Sequence, residues 1–110
     1  MRLPHPDKAI IPREKVEAYL LSPVHSVGRH KAVFFNALGY LASEWRALAV
    51  DLQAFASGEA QEVGETEYGT KYEVRGRITG PSGRPAAIVT AWIVLRGEEF
   101  ARFVSAYPED

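Results

Sequence analysis

Proton transfer is the chemistry this sequence could supply most directly, and His30 is the first residue to consider for it. It lies in GRHKAVFFNALGY, where the apolar spacing predicts a helix from about Gly28 to Tyr40 that places His30 on the sheet-facing side, one turn before Phe34. An imidazole there can act as general acid or base near neutral pH; the alternative is a buried, hydrogen-bonded imidazole with a structural role near the helix start. His5 and His25 sit in proline-flanked loops, where solvation or capping is the expected role. The chain has no cysteine, which excludes disulfides, a thiolate nucleophile and cysteine-bound zinc or iron–sulfur centres. His25 and His30 are five residues apart, wrong for two ligands on one helical face, and no HExxH pattern occurs, so neither a metal site nor a cofactor is expected. GPSG lacks the Lys-Ser/Thr pair and following helix of a phosphate loop, and neither GxSxG nor a dinucleotide fingerprint is present.

The cations that could accompany His30 are Arg29, Lys31, Lys71, Arg75 and Arg77. Gly28 would let the helix start present N–H groups to a phosphate, with Arg29 and Lys31 beside it. A solvated face is the ordinary alternative, above all for Arg77. Thirteen Lys plus Arg against fourteen Asp plus Glu give a net charge of −1, which excludes a globally basic nucleic-acid binder but not a local basic patch. Arg29, Lys31, Lys71 and Arg75 are expected on one surface, with Glu59, Glu62, Glu65 and Glu67 apart from it.

The elements that must position these residues follow from punctuation and periodicity. At 110 residues and 46% hydrophobic composition the chain fits a single domain, 1–110, with one core. Its part 12–58 reads as helical and 61–107 as sheet. Ala9-Ile10-Ile11 suits a short edge strand. Pro12 suits a first helical turn, Val16, Tyr19 and Leu20 form its apolar stripe, and Ser22-Pro23 stops it. In the second helix the stripe reads His30, Val33, Phe34, Ala37, Leu38 and Leu41. A third helix behind Ser43 shows Trp45, Leu48, Leu52 and Phe55 on one side and ends at Gly58. Gln61 to Thr66 is a weaker strand, and Tyr68 to Pro108 reads as a three-stranded meander with turns at Gly80–Gly83 and Arg96–Glu99. The fold class is α+β, with about three helices on one face of a mostly antiparallel four-stranded sheet.

With even-length hairpin loops, one sheet face carries Tyr72, Val74, Ile78, Val89, Ala91, Ile93, Phe100 and Val104, the core set. The other carries Lys71, Glu73, Arg75, Thr90, Trp92, Ser105 and Tyr107, a polar and aromatic set no core requires, although a tryptophan such as Trp92 is more often a core residue than a stacking partner. In this register Lys71 sits beside Trp92 and Phe103, which would lower its pKa or offer a base-stacking platform, and Thr90 and Ser105 share a row with Glu73. An odd-length loop at Gly80–Gly83 would change which residues share a face with Thr90. No apolar run approaches the roughly 20 residues of a membrane span, and MRLPHPDK lacks a signal-peptide core, so the expected location is cytoplasmic.

The strings LPHPDKAIIPREKVEAYLLSPVHSVGRHKAVFFNALGY, YGTKYEV, ITGPSGR, TAW and SAYP carry a resemblance across nearly the whole chain. The chain resembles a small bacterial domain of unknown function that occurs free-standing and as the C-terminal toxin module of polymorphic and contact-dependent inhibition toxins. The layout of helices before a four-stranded antiparallel sheet is similar to the metal-independent ribonuclease fold shared by barnase, colicin E5 and RelE-type toxins. That resemblance implies RNA as substrate and a cognate immunity or antitoxin protein as partner. Such cleavage needs a base for the ribose 2′-proton, an acid for the leaving oxygen and cations around the phosphorane. His30, Lys71 and Thr90 are the expected catalytic residues, and Arg29, Lys31, Glu73, Arg75, Trp92, Ser105 and Tyr107 the expected substrate contacts, in a cleft between the second helix and the polar sheet face. A non-catalytic module would use the same face, with Trp92, Phe103 and Tyr107 as anchors for a partner protein or a homodimer.

Overall fold

Alternation along the strands and glycine-rich turns between them build the sheet first. In the computed structural model, which describes residues 1–22, 24–26 and 28–109, four strands form a meander in the order β1-β2-β3-β4. They are β1 (Ala60–Glu65), β2 (Gly69–Thr79), β3 (Pro85–Leu95) and β4 (Arg102–Pro108), every neighbouring pair antiparallel. The helices precede them. An α-turn, Arg13–Lys15, runs into a π-turn, Val16–Leu20 (together α1), closed by the Leu21 N–H on the Val16 carbonyl at 2.9 Å. α2 is Arg29–Ala37, and α3, Trp45–Phe55, follows a short 3₁₀ turn, Ala42–Glu44, that occupies the expected cap at Ser43. The α+β reading therefore holds. Pro23, part of the expected stop of the first helix, lies outside the described residues. The expected edge strand at Ala9–Ile11 is a one-residue bridge: Ile10 runs parallel to β4, its N–H on the Ala101 carbonyl at 2.9 Å and its carbonyl taking the Phe103 N–H at 2.8 Å.

All three helices pack on one face of the sheet. Val16 and Leu20 of α1, Phe35 of α2 and Leu48, Leu52 and Phe55 of α3 meet Val74, Ile78, Ile88, Trp92, Phe103 and Ala106 in one apolar cluster. Trp92 and Phe103 meet edge to face, ring centroids 5.4 Å apart.

The register departs from the expected one at the first hairpin. Thr79 pairs with Pro85, so five residues, 80–84, join β2 to β3, and even positions of β2 lie beside even positions of β3. Val74 is opposite Thr90 and Tyr72 opposite Trp92, which turns Thr90 and Trp92 into the core and Ala91 and Ile93 out of it. The loop is held by the helical layer. The Ser82 N–H donates to the Leu38 carbonyl at 3.0 Å, and a side chain at Gly80 would put its Cβ 2.2 Å from that oxygen. In β4 a bulge opposite Ala91 and Trp92 lets Phe103 join the core while Ser105 and Tyr107 face outward with Ala91 and Val89.

The face of α2 is rotated by one residue from the expected one. Ala32, Phe35 and Leu38 are buried, Phe34 is half-buried, and Val33, Ala37 and Leu41 are exposed. The run Val33-Phe34-Phe35 fits either frame, and packing of Gly28 decides it: a Cβ there would lie 2.0 Å from the Tyr19 carbonyl oxygen, so α2 starts directly on α1.

Candidate functional site

The face of the sheet turned away from the helices is where polar side chains converge. On β2 the odd positions Lys71, Glu73, Arg75 and Arg77 point to it, and opposite them β3 offers only Ile93, Ala91, Val89 and Ala87. None of these β3 side chains is polar, and the small Ala91 and short Val89 leave room for long side chains from β2 and β4 to meet across them. Tyr107 on β4 donates its O–H to Glu73 Oε2 at 2.8 Å, and Arg75 Nη2 donates to Glu73 Oε1 at 3.0 Å. The other arm of the fork, Arg75 Nη1, donates to Glu109 Oε2 at 2.8 Å. Val89, directly between Arg75 and Tyr107 in the register, is only 1% exposed although it lies on this outer face.

The helical layer reaches around the β4 edge to the same place. Lys31 of α2 sets Nζ 5.4 Å from the centroid of the Tyr107 ring. Tyr19, in the π-turn, brings its hydroxyl to 3.4 Å from Ser105 Oγ. His25 packs its ring edge-on against Tyr19 at 5.0 Å, and its Nδ1 accepts the Gly28 N–H at 3.0 Å, which fixes the start of α2. Two hollows open on the face and share Glu73. One of about 410 Å³ is lined by Glu59, Ala60, Gln61, Glu73 and Arg75; another of about 270 Å³ includes Val63, Lys71, Glu73, Ala91 and Val104 in its lining.

Hydrogen bonds to both of its oxygens hold the Glu73 side chain in place. Partial burial raises the Tyr107 phenol above its ordinary value, and the hydrogen bond to Glu73 adds to this, so the phenol remains a donor at neutral pH. The Arg75 guanidinium is raised mainly by its bond to Glu109. The cluster offers a fixed carboxylate as a proton acceptor and, beside it, the Arg75 guanidinium as a contact for an anion.

The family model of the domain of unknown function DUF6883 matches residues 2–110. The chain belongs to this family. A chain of a contact-dependent growth inhibition toxin–immunity protein complex from Klebsiella pneumoniae 342 shares the fold of this DUF6883 domain, with a TM-score of 0.73 at 16% sequence identity, over 96% of this chain and 97% of that one. No curated protein matches the sequence.

Of the residues expected at the site, the DUF6883 fold brings together Lys31, Glu73, Arg75, Ser105 and Tyr107, and keeps Lys71 on the same face. Thr90 and Trp92 do not belong to it. Both are buried on the helix side, where the Thr90 hydroxyl donates to the Val74 carbonyl at 2.9 Å and accepts the Trp92 Nε1–H at 2.8 Å. The expected row of Thr90, Ser105 and Glu73 is therefore Ala91, Ser105 and Glu73. Trp92, itself buried, still borders the smaller hollow with Lys71, but Phe103 does not. Phe103 is 2% exposed in the core, so of the three expected protein anchors only Tyr107 stands on the open face.

His30 is exposed on α2, neither sheet-facing nor the buried structural imidazole that was its alternative, and Arg29 is exposed beside it. The expected separation of charges fails at Glu59, which lines the larger hollow with Arg75. His25, by contrast, has the capping role expected of it. Tyr19 and Glu109 were not legible as site residues. Tyr19 reads as part of an apolar stripe until the π-turn swings its hydroxyl to β4, and nothing local to Glu109 signals a partner more than thirty residues away at Arg75.

Proposed function

We propose that this DUF6883 chain is a toxin-type domain that cleaves RNA without a metal on the open face of its sheet, and that a cognate immunity-type protein is its partner. One observation carries the reading: Glu73 is held between Tyr107 and Arg75, with Lys31 at the Tyr107 ring and Lys71 on the same face. Glu73 takes the proton from the ribose 2′-hydroxyl, and the resulting oxygen attacks phosphorus and displaces the 5′-oxygen, leaving a 2′,3′-cyclic phosphate. Arg75, Lys31 and Lys71 offset the charge on the phosphorane. Tyr107 positions Glu73. His30, exposed next to Lys31 at the start of α2, is the group we assign to protonating the leaving oxygen.

The fold likeness to a chain of a toxin–immunity complex supports the partner half of the proposal. Such a toxin works in the cytoplasm, where its RNA is. Expression should arrest growth of a bacterial host unless a neutralising protein is co-expressed, and the purified chain should cleave RNA in the presence of a chelator. Glu73→Gln should abolish single-turnover cleavage, by about a hundredfold or more, and His30→Ala should reduce it while leaving the melting temperature unchanged. A folded Glu73→Gln protein that cleaves at the parental rate sinks this assignment. Normal growth together with no cleavage of total RNA would instead favour a protein-docking module on the same face.

A further inference from the structure

Arg75 divides its guanidinium between two carboxylates that are not held alike. Glu73 has both oxygens engaged, one by Arg75 Nη2 at 3.0 Å and the other by the Tyr107 hydroxyl at 2.8 Å, and its side chain is 21% exposed. Glu109, just beyond β4, makes one side-chain bond, to Arg75 Nη1 at 2.8 Å, and its side chain is 35% exposed. Its backbone is fixed separately, the N–H on the Ala87 carbonyl at 2.9 Å. The Glu109 side chain can therefore swing away without disturbing the sheet, whereas Glu73 cannot leave without breaking the cluster. The hollow of about 410 Å³ opens on Arg75 and Glu73, so an incoming ligand would reach the guanidinium from there.

Carboxylates and phosphodiesters present the same pair of oxygens to an arginine fork. We propose that Arg75 is the phosphodiester seat of this face and that Glu109 occupies it in the free chain as a substrate stand-in, so that RNA binds by displacing the Glu109 carboxylate. This rests on the RNA-cleaving reading above. The latch is weak by design of its surroundings: an ion pair this exposed shifts an equilibrium by a few-fold, so it lowers affinity for short or singly contacting ligands without closing the face.

The test is a double-mutant cycle on binding of a short, uncleavable 2′-O-methyl oligoribonucleotide at fixed, low salt. Glu109→Gln should bind about two- to five-fold tighter than the parent, Arg75→Gln should bind more weakly, and the gain from Glu109→Gln should vanish in the Arg75→Gln background. An equal gain in both backgrounds would mean that Glu109 repels RNA only through its charge, and overturns the latch. No gain from Glu109→Gln, with Arg75→Gln still weakening binding, overturns it too and leaves the RNA reading standing. No binding by the parent or by any variant removes the RNA reading and the latch together.

Discussion

The two faces of this sheet carry similar residue types and put them to opposite uses. On the helix side, the Thr90 hydroxyl and the Trp92 indole N–H are hydrogen-bonded within the core, and both residues are at most 1% exposed, so burial keeps a ligand from them. On the open side, Glu73, Tyr107, Arg75 and Glu109 are also linked by hydrogen bonds, but at the rim of hollows, one of which Lys71 lines as well. A hydroxyl and an aromatic ring on a strand mean core packing in one case and an open polar cluster in the other. Strand parity separates them on β2 and β3, and the bulge does so on β4.

That contrast breaks most visibly at Trp92. Trp92→Ala should cost about 3–5 kcal/mol in denaturant unfolding, because it empties a packed core site and strips the Thr90 hydroxyl of its donor. A cost below about 1 kcal/mol would show that the inner face has been misread. Next in size is Gly28→Ala, which pushes a Cβ to 2.0 Å from the Tyr19 carbonyl and should cost about 1–3 kcal/mol. It should also disturb Lys31 and the open face, so a parallel loss of the proposed RNA cleavage is expected.

Alkaline titration compares a core phenol with one on the open face. Tyr40, 1% exposed, donates to Asp51, and burial first, then that carboxylate, raise its pKa well above the ordinary value; Tyr107 is raised for the same reasons in the same order. A pKa raised by folding adds stability that is fully present below a pH of about 10, the unfolded value, and is lost as pH rises through the folded value. Tyr40→Phe should therefore flatten the alkaline loss of stability more than Tyr107→Phe does, as read from unfolding free energies between neutral pH and pH of about 11. The reverse ranking would mean that the open-face cluster is the more buried of the two. The smallest change is expected from Glu73→Gln, below about 1 kcal/mol in stability because its partners stay solvated. A larger loss would make the cluster a structural strut.

Turn chemistry and apolar periodicity made the elements legible: the glycine-rich turns mark the hairpins, and Leu48, Leu52 and Phe55 fall on the predicted face of α3. Position within the elements was harder. The β2–β3 loop counts five residues, not four, because Arg84 belongs to the turn, and that single residue sends Thr90 and Trp92 to the core. In α2 two frames differ by one residue across Val33-Phe34-Phe35, and the observed one goes with the close packing of Gly28 on Tyr19, which apolar spacing does not display. The site was legible where it lies on β2 and β4, whose parity was read correctly for Lys71, Glu73, Arg75, Ser105 and Tyr107. It was not legible where it depends on the π-turn or on the residue after β4.

The seat that Leu38 offers to Gly80 and Ser82 makes the end of α2 a gauge for the hairpin. A strand pairing slipped by one residue would carry Ser82 off its acceptor and bring a larger residue to the place where only glycine fits, so the helix could not dock. Misregistered hairpins are thereby proofread by a neighbouring element, and the parity that distinguishes core from site is checked by a part of the chain that belongs to neither strand.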